Sequence, residues 1–120
     1  MKKTLVIGAS ENPDRYSNKA IKALVSHQHE VVAIGLRAGE VAGVAFNSEK
    51  KAFDGIDTVT LYVGSQNQPE YYSYILNLKP KRVIFNPGTE NPEFIAKLES
   101  AGIYPEIACT LVLLATDQYE

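Results

Sequence analysis

The stretch LVIGASENPDRYSNKAIKAL, residues 5–24, predicts a strand, a loop and a helix in immediate succession. The β-branched run at residues 4–7 is typical of a buried strand, and Gly8 ends it. Ser17 is a favourable N-cap, and the apolar spacing behind it predicts a helix that ends near His27. A helix N-terminus behind a strand favours an anionic group such as phosphate. The loop nevertheless has one glycine where a dinucleotide-binding turn usually has three.

Apolar strands and amphipathic helices continue to alternate along the rest of the 120 residues. We predict further strands at residues 30–35, 41–44, 57–63, 82–85 and 103–107, and helices at residues 69–79, 92–101 and 109–115. Such alternation predicts an α/β fold, with one Rossmann-like, doubly wound and mostly parallel sheet and helices on both faces. No linker or repeat interrupts the pattern, so residues 1–120 are expected to form a single domain.

The composition restricts the class of protein and its partners. The chain is 45% hydrophobic and 22% charged, with a formal net charge of -2, which is typical of a globular domain without a nucleic-acid-binding surface. A single cysteine, Cys109, excludes an internal disulfide and a cysteine zinc cluster. No window approaches the ~18 apolar residues that a membrane span requires. We therefore expect a cytoplasmic protein that binds neither nucleic acid nor membranes.

Four loops are expected at the carboxyl edge of the predicted sheet, where ligands bind in doubly wound folds. They comprise residues 8–17, 35–39, 64–68 and 86–91, and all are rich in small and polar side chains. In the first loop, Ser10, Asn12 and Arg15 add donors to the helix N-terminus, which favours phosphate binding. The alternative is a plain turn that leads into a capped helix.

The end of the second strand distinguishes between nucleotide cofactors. An NAD-binding fold usually places an acidic residue there, which holds the ribose 2′-hydroxyl group. This chain instead has Arg37, whose guanidinium suits an additional phosphate, as in NADP or in the 3′-phosphate of coenzyme A. The alternative is a solvated surface arginine.

The segment FNPGTEN, residues 85–91, supplies a third candidate contact. Pro87 rigidifies the turn, and Gly88 lets the backbone come close to a ligand. An ordinary connection between a strand and a helix would explain the same residues.

Candidates for catalysis are few. His27 and His29 flank the turn before the second strand, so we expect them on the surface at the edge opposite the ligand loops. Cys109 precedes an apolar segment, which indicates a buried, inert thiol, whereas a helix N-terminus at Thr110 would make it reactive. No pair of side chains indicates acid–base or nucleophilic chemistry, so we predict a protein that is not an enzyme.

Five segments together resemble the stand-alone CoA-binding domain family: VIGASENPDRYSNKAI, HQHEVVAIG, DTVTLYV, IFNPGTEN and ACTLVLLAT. That family is similar to the N-terminal CoA-binding domain of the succinyl-CoA synthetase α subunit. The resemblance implies a Rossmann-like domain whose cofactor is coenzyme A or an acyl-CoA. We predict no metal site. The cofactor-binding residues that we predict are Gly8, Ser10, Asn12, Arg15, Tyr16, Ser17, Arg37, Asn86, Pro87 and Gly88.

The chain departs from the synthetase pattern in the first loop, where Asn12, Pro13 and Asp14 replace glycines. Side chains would then hold the phosphates together with the helix end. The phosphorylated histidine of the synthetase lies in a separate domain, so the resemblance does not imply ligase chemistry.

Three functions are compatible with these observations. The first is non-catalytic binding of coenzyme A or an acyl-CoA, by a sensor, a carrier or a regulatory subunit. The second is an NADP-binding domain of the oxidoreductase type, and the third is a protein-interaction module that has lost its ligand. The expected partner is a small nucleotide cofactor, and the edge strand of so small a domain would also suit a homodimer or another protein partner.

Overall fold

Seven strands run through residues 2–120, which are the residues that a computed structural model describes. They are β1 Thr4–Ala9, β2 Val31–Gly35, β3 Gly39–Val41, β4 Val44–Phe46, β5 Thr58–Leu61, β6 Arg82–Phe85 and β7 Tyr104–Ile107. Five of them form one parallel sheet in the order β2-β1-β5-β6-β7. The strand order changes direction at β1, so the loops after β1 and β5 lie at the switch point where ligands bind in such sheets.

Four α-helices cover the two faces of this sheet within the same residues. They are α1 Tyr16–Ser26, α2 Tyr72–Leu78, α3 Pro92–Ser100 and α4 Thr110–Ala115. Buried side chains of α2 and α3 belong to the core on one face, and those of α1 and α4 belong to the core on the other. The prediction of a Rossmann-like α/β fold with helices on both faces is confirmed.

The two cores consist of apolar side chains that alternate along the strands. One face contains Leu5, Ile7, Val59, Leu61, Val83 and Phe85, together with Ile75 of α2 and Phe94 and Leu98 of α3. The other face contains Val6, Ala33 and Ile84, together with Ile21 and Leu24 of α1 and Leu113 and Leu114 of α4. Because β1 and β6 are buried on both faces, they read as largely continuous apolar runs in the sequence, whereas β5 alternates buried threonines with apolar residues and β7 is partly exposed.

The connection between β2 and β5 differs from the prediction. One strand was expected at residues 41–44, whereas β3 and β4 form an antiparallel hairpin. Ala42 and Gly43 make the turn with φ of 51° and 83°, the left-handed pair that suits a two-residue hairpin. The chain then continues beside β2, where Ile34 pairs with Asn47. The hairpin and this bridge cover part of the β2 edge.

Strand β7 forms the opposite edge of the sheet and carries a proline. The Tyr104 amide donates to the Lys81 carbonyl oxygen at 3.1 Å, and the Ala108 amide donates to the Phe85 carbonyl oxygen at 3.2 Å. The backbone nitrogen and carbonyl groups of successive residues point to opposite sides of a strand. Those of Pro105 and Ile107 therefore point away from β6, toward the open edge of the sheet. Since Pro105 has no N–H group, the exposed edge lacks a donor at this position.

The two histidines lie at the edge opposite the carboxyl ends of the strands, as expected. His29, however, is 7% exposed, so the prediction of a surface side chain is wrong. Its Nδ1 accepts a hydrogen bond from the Lys2 amide at 3.0 Å, and its ring meets the Tyr119 ring edge-on at 4.8 Å. The C-terminal segment, which the sequence pattern left unassigned, buries this ring.

Within residues 2–120, no helix has the length and apolar character needed to cross a lipid bilayer.

Candidate functional site

A cavity of about 1010 Å³ opens at the carboxyl edge of the sheet. The loops that follow β1, β2, β5 and β6 line it, and these are the loops that the sequence predicts. Its volume lies at the upper end of the roughly 300–1,000 Å³ that is usual for small-molecule sites. Of the predicted cofactor-binding residues, all but Asn86 line the cavity: Gly8, Ser10, Asn12, Arg15, Tyr16, Ser17, Arg37, Pro87 and Gly88.

Helix α1 begins at this cavity without a side-chain cap. Arg15 is the N-cap residue, and no side chain in residues 2–120 accepts a hydrogen bond from the first turn. The prediction that Ser17 caps the helix is therefore wrong. The Arg15 amide donates to the Asn12 carbonyl oxygen at 3.0 Å, and this turn starts the helix earlier and places Ser17 inside it. The open N–H groups and the positive end of the helix dipole lie at the cavity.

The loop between β1 and α1 is fixed by its own polar side chains. Ser10 Oγ accepts from the Asn12 amide at 3.1 Å, and Asn12 Oδ1 accepts from the Asp14 amide at 3.0 Å. In both bonds the side chain of the loop is the acceptor, so its own hydrogen atoms are not used. The hydroxyl hydrogen of Ser10 and the amide hydrogens of Asn12 have no partner among residues 2–120, so they are free to donate to a ligand.

The single glycine that opens this loop has a packing role. Gly8 has a φ of +101°, and a Cβ atom built on it would lie 2.7 Å from the Tyr62 carbonyl oxygen. Neither the backbone conformation nor the space admits a side chain. Gly8 therefore lets the end of β1 lie directly against the residue that follows β5, at the floor of the cavity.

Two arginines supply positive charge at the cavity. Arg15 precedes α1, and Arg37 follows β2. In the part of the chain that the structure describes, neither guanidinium makes an ion pair or a hydrogen bond. Both are therefore available to anionic groups on a ligand.

Carboxylates at the cavity are largely engaged by the protein itself. Glu11 Oε2 accepts from the Glu40 amide at 2.9 Å and thereby joins the first loop to the hairpin. Glu70 Oε2 lies 3.3 Å from Lys50 Nζ in an ion pair. Asp14 is the third carboxylate of the lining. The Lys50 ammonium offsets the charge of Glu70 and so weakens the repulsion that an anionic ligand would meet there.

Asn86 lies beneath the cavity and is 1% exposed. Its Nδ2 donates to Thr60 Oγ1 at 2.6 Å and to the Leu61 carbonyl oxygen at 2.8 Å. Its Oδ1 accepts from the Thr110 amide at 2.9 Å. Every polar atom of the side chain is thus used within the protein, so the structure places Asn86 as a support of the turn and not on the cavity surface.

The turn after β6 lines the cavity with Pro87 and Gly88, which have no charged side chains. Gly88 has a φ of +90°, and nothing lies within 4 Å of a Cβ atom built on it. Its amide donates to Glu90 Oε1 at 2.9 Å, so a carboxylate of the same loop already uses the donor that could have met an anion. Pro87 and Gly88 themselves therefore add neither a charged side chain nor a free backbone donor.

Sequence reasoning missed the apolar lining of the cavity. Tyr62, Tyr71 and Phe46 line it, together with Leu36, which is 85% exposed. Burial raises the pKa of Tyr62 far above its ordinary value, so its hydroxyl group stays neutral. Leu36 directly follows the predicted strand at residues 30–35, and Tyr62 lies near the end of the one at residues 57–63, so both could have been found from their positions. Phe46 could not, because its strand was not predicted.

Cys109 lies outside the lining of the cavity and is half-buried, so the prediction of a buried thiol is only partly correct. It precedes α4 as the N-cap residue, and its side chain accepts no hydrogen bond from that helix.

Comparison with known sequences gives a family match over nearly the whole chain. The sequence profile of the family described as CoA binding domain matches residues 2–115. YneT, an uncharacterized protein from Bacillus subtilis (strain 168), is 28% identical over 102 residues, which are 84% of this chain and 76% of YneT.

Solved structures share the fold. The crystal structure of an uncharacterized protein is 51% identical, with a TM-score of 0.96, over 98% of both chains. A hypothetical protein from Pyrococcus horikoshii OT3 is 28% identical, with a TM-score of 0.86, over 99% of this chain and 84% of that one. The apo form of the dinucleotide forming acetyl-coenzyme A synthetase 1 from Ca. Korarchaeum cryptofilum is 18% identical, with a TM-score of 0.73, over 87% of this chain and 25% of that one. This last likeness shows a common fold.

Proposed function

The chain belongs to the CoA-binding domain family, and from this membership we propose that it binds coenzyme A or an acyl-CoA at the carboxyl edge of its sheet. The observation that supports the proposal most is the uncapped N-terminus of α1, which lies at the cavity beside the unpaired Arg15 and Arg37. Coenzyme A carries a pyrophosphate and a separate 3′-phosphate. A helix N-terminus and two arginines on different loops match this distribution of charge.

The arrangement of the loops suggests how the ligand lies. The pyrophosphate binds at the start of α1, with donors from Ser10, Asn12 and Arg15. Arg37, which follows the neighbouring strand β2, contacts the 3′-phosphate. The remaining part of the cavity, over β5 and β6, is lined by Tyr62, Val63, Tyr71 and the turn at Gly88. That part accommodates the pantetheine arm.

The proposed role is binding without a chemical step, in a cytoplasmic sensor, carrier or regulatory subunit. Both histidines lie at the opposite edge of the sheet, and Asn86 is fully engaged beneath the cavity. Incubation with acetyl-CoA, followed by mass spectrometry, should return the thioester intact. Hydrolysis at a rate proportional to protein concentration would contradict a purely binding role.

A thermal-shift series tests the proposed ligand. A ligand at 100 times its dissociation constant stabilises the folded state by about 2.7 kcal/mol. Coenzyme A and acetyl-CoA should raise the melting temperature in a concentration-dependent way. The absence of any shift at millimolar concentrations of both would refute the proposal, and a larger shift with NADP would favour the oxidoreductase-type alternative.

A further inference from the structure

Gln68 is a polar side chain that is completely buried between two loops of the cavity. Its Nε2 donates to the Val63 carbonyl oxygen at 2.8 Å and to the Thr89 carbonyl oxygen at 2.7 Å. Val63 belongs to the loop after β5, and Thr89 belongs to the loop after β6. One amide group therefore links two loops that the backbone connects only through α2 and β6.

The oxygen atom of the Gln68 amide is also hydrogen-bonded. Gln68 Oε1 accepts from Asn91 Nδ2 at 2.9 Å, and Asn91 Nδ2 donates to the Tyr72 hydroxyl at 2.7 Å. Asn91 Oδ1 accepts from the Phe94 amide at 3.1 Å and so caps α3. Each hydrogen-bonding atom of Gln68 has a partner, and one of these partners, Asn91, is itself held by Tyr72 of α2 and by the first turn of α3. A satisfied, buried network of this kind fixes a single arrangement of its loops.

The hydrogen bonds of Gln68 and Asn91 involve residues of one half of the cavity and not of the other. Val63 and Thr89 both line the cavity, over β5 and β6. The anion-binding half, at α1 and Arg37, shares no hydrogen bond with Gln68 or Asn91 in the described chain. A change at Gln68 therefore alters the separation of the β5 and β6 loops and leaves the phosphate contacts in place.

We propose that Gln68 is a positioning residue that sets the width of the cavity over β5 and β6, and hence the affinity for the non-nucleotide arm of the ligand. This inference rests on the proposed binding of coenzyme A. Gln68 does not touch the ligand. It acts through the Val63 and Thr89 segments that form the walls of that half of the cavity.

The test compares two ligands that share the nucleotide half. Isothermal titration calorimetry measures the dissociation constants of coenzyme A and of adenosine 3′,5′-bisphosphate, which keeps the 3′-phosphate and the first 5′-phosphate and lacks the phosphopantetheine arm. Gln68→Met keeps the length of the side chain and removes its donors and its acceptor. We expect this variant to bind coenzyme A about 10-fold more weakly and adenosine 3′,5′-bisphosphate with less than about a twofold change. Gln66→Met, in the same loop at an exposed position outside the cavity lining, should change neither.

A second variant keeps the inference testable if Gln68→Met does not fold. Asn91→Asp retains a good N-cap for α3 but removes the amide that donates to Gln68. It should show the same selective loss for coenzyme A, to a smaller extent. An equal loss for both ligands, or no loss for either, would overturn the positioning role while wild-type binding of coenzyme A stands. A wild-type protein that does not bind coenzyme A would overturn the proposed function and this inference together.

Discussion

Asn86 Oδ1 accepts a hydrogen bond from the Thr110 amide at 2.9 Å and thereby joins the end of β6 to the start of α4. The same side chain donates to Thr60 and Leu61, so one buried amide connects three elements beneath the cavity. We expect Asn86→Ala to lower the free energy of unfolding by about 3 kcal/mol, because several donors and acceptors would stay buried without partners. Urea denaturation measures this loss. Asn77→Ala, at an exposed position on α2, should change it by less than about 0.5 kcal/mol.

Gly8 and Gly43 form a matched pair that separates steric crowding from backbone strain. Both have positive φ, but a Cβ atom on Gly8 would meet the Tyr62 carbonyl oxygen at 2.7 Å, whereas Gly43 has open space around it. Gly43→Ala should cost about 1 kcal/mol of stability, from the left-handed conformation alone. Gly8→Ala should cost at least about 2 kcal/mol more, and it should also displace the floor of the cavity. Thermal unfolding of the two variants provides the comparison, and equal losses would contradict the close approach of β1 to Tyr62.

Arg37→Ala tests which phosphate the arginine contacts. The side chain has no ion pair in the described chain, so its removal should leave the free energy of unfolding within about 0.5 kcal/mol of the wild-type value. We expect coenzyme A to bind about 10-fold more weakly and dephospho-CoA to bind with little change, because dephospho-CoA lacks the 3′-phosphate. Calorimetric titration of both ligands decides this. Equal losses would assign Arg37 to the pyrophosphate, and Lys22→Ala, at an exposed position of α1, should affect neither ligand.

His29 gives the stability of the protein a defined dependence on pH. Burial lowers the pKa of His29 below its ordinary value of 6.5, so the folded chain keeps the ring neutral at a pH where the unfolded chain protonates it. The stabilisation is therefore fully present above pH 6.5 and is lost as the pH falls through and below that value. His29→Gln keeps an acceptor for the Lys2 amide and cannot titrate. Denaturation curves at pH 7.5 and pH 5.5, both about one unit from the ordinary value, should show a smaller difference for this variant than for the wild type. An unchanged difference would exclude His29 as the source.

The order of strands and helices could be predicted because its signals are local. Buried parallel strands are continuous apolar runs, and Asn91 with Pro92 marks the start of α3 as a capped helix with proline in its first turn. The carboxyl-edge loops followed from that order without any knowledge of their conformation. This is why most of the predicted cofactor-binding residues line the cavity.

The errors fall where distant parts of the chain decide the structure. Ser17 has good capping chemistry, but the turn at Asn12 starts α1 earlier and leaves the helix end open for a ligand. His29 looked exposed because Tyr119, which covers it, is far away in the sequence. Asn86 has the chemistry of a ligand contact, and its burial under the turn depends on Thr110 of a later helix. A pattern within one segment contains none of these relationships.

The proline at position 105 affects how molecules of this protein meet one another. A strand added from a second molecule would find no backbone donor at Pro105, so one of the intermolecular hydrogen bonds would be missing at the exposed edge. At the other edge, the hairpin and Asn47 already cover part of β2. Both ends of the sheet therefore resist the edge-to-edge growth that leads to fibrils.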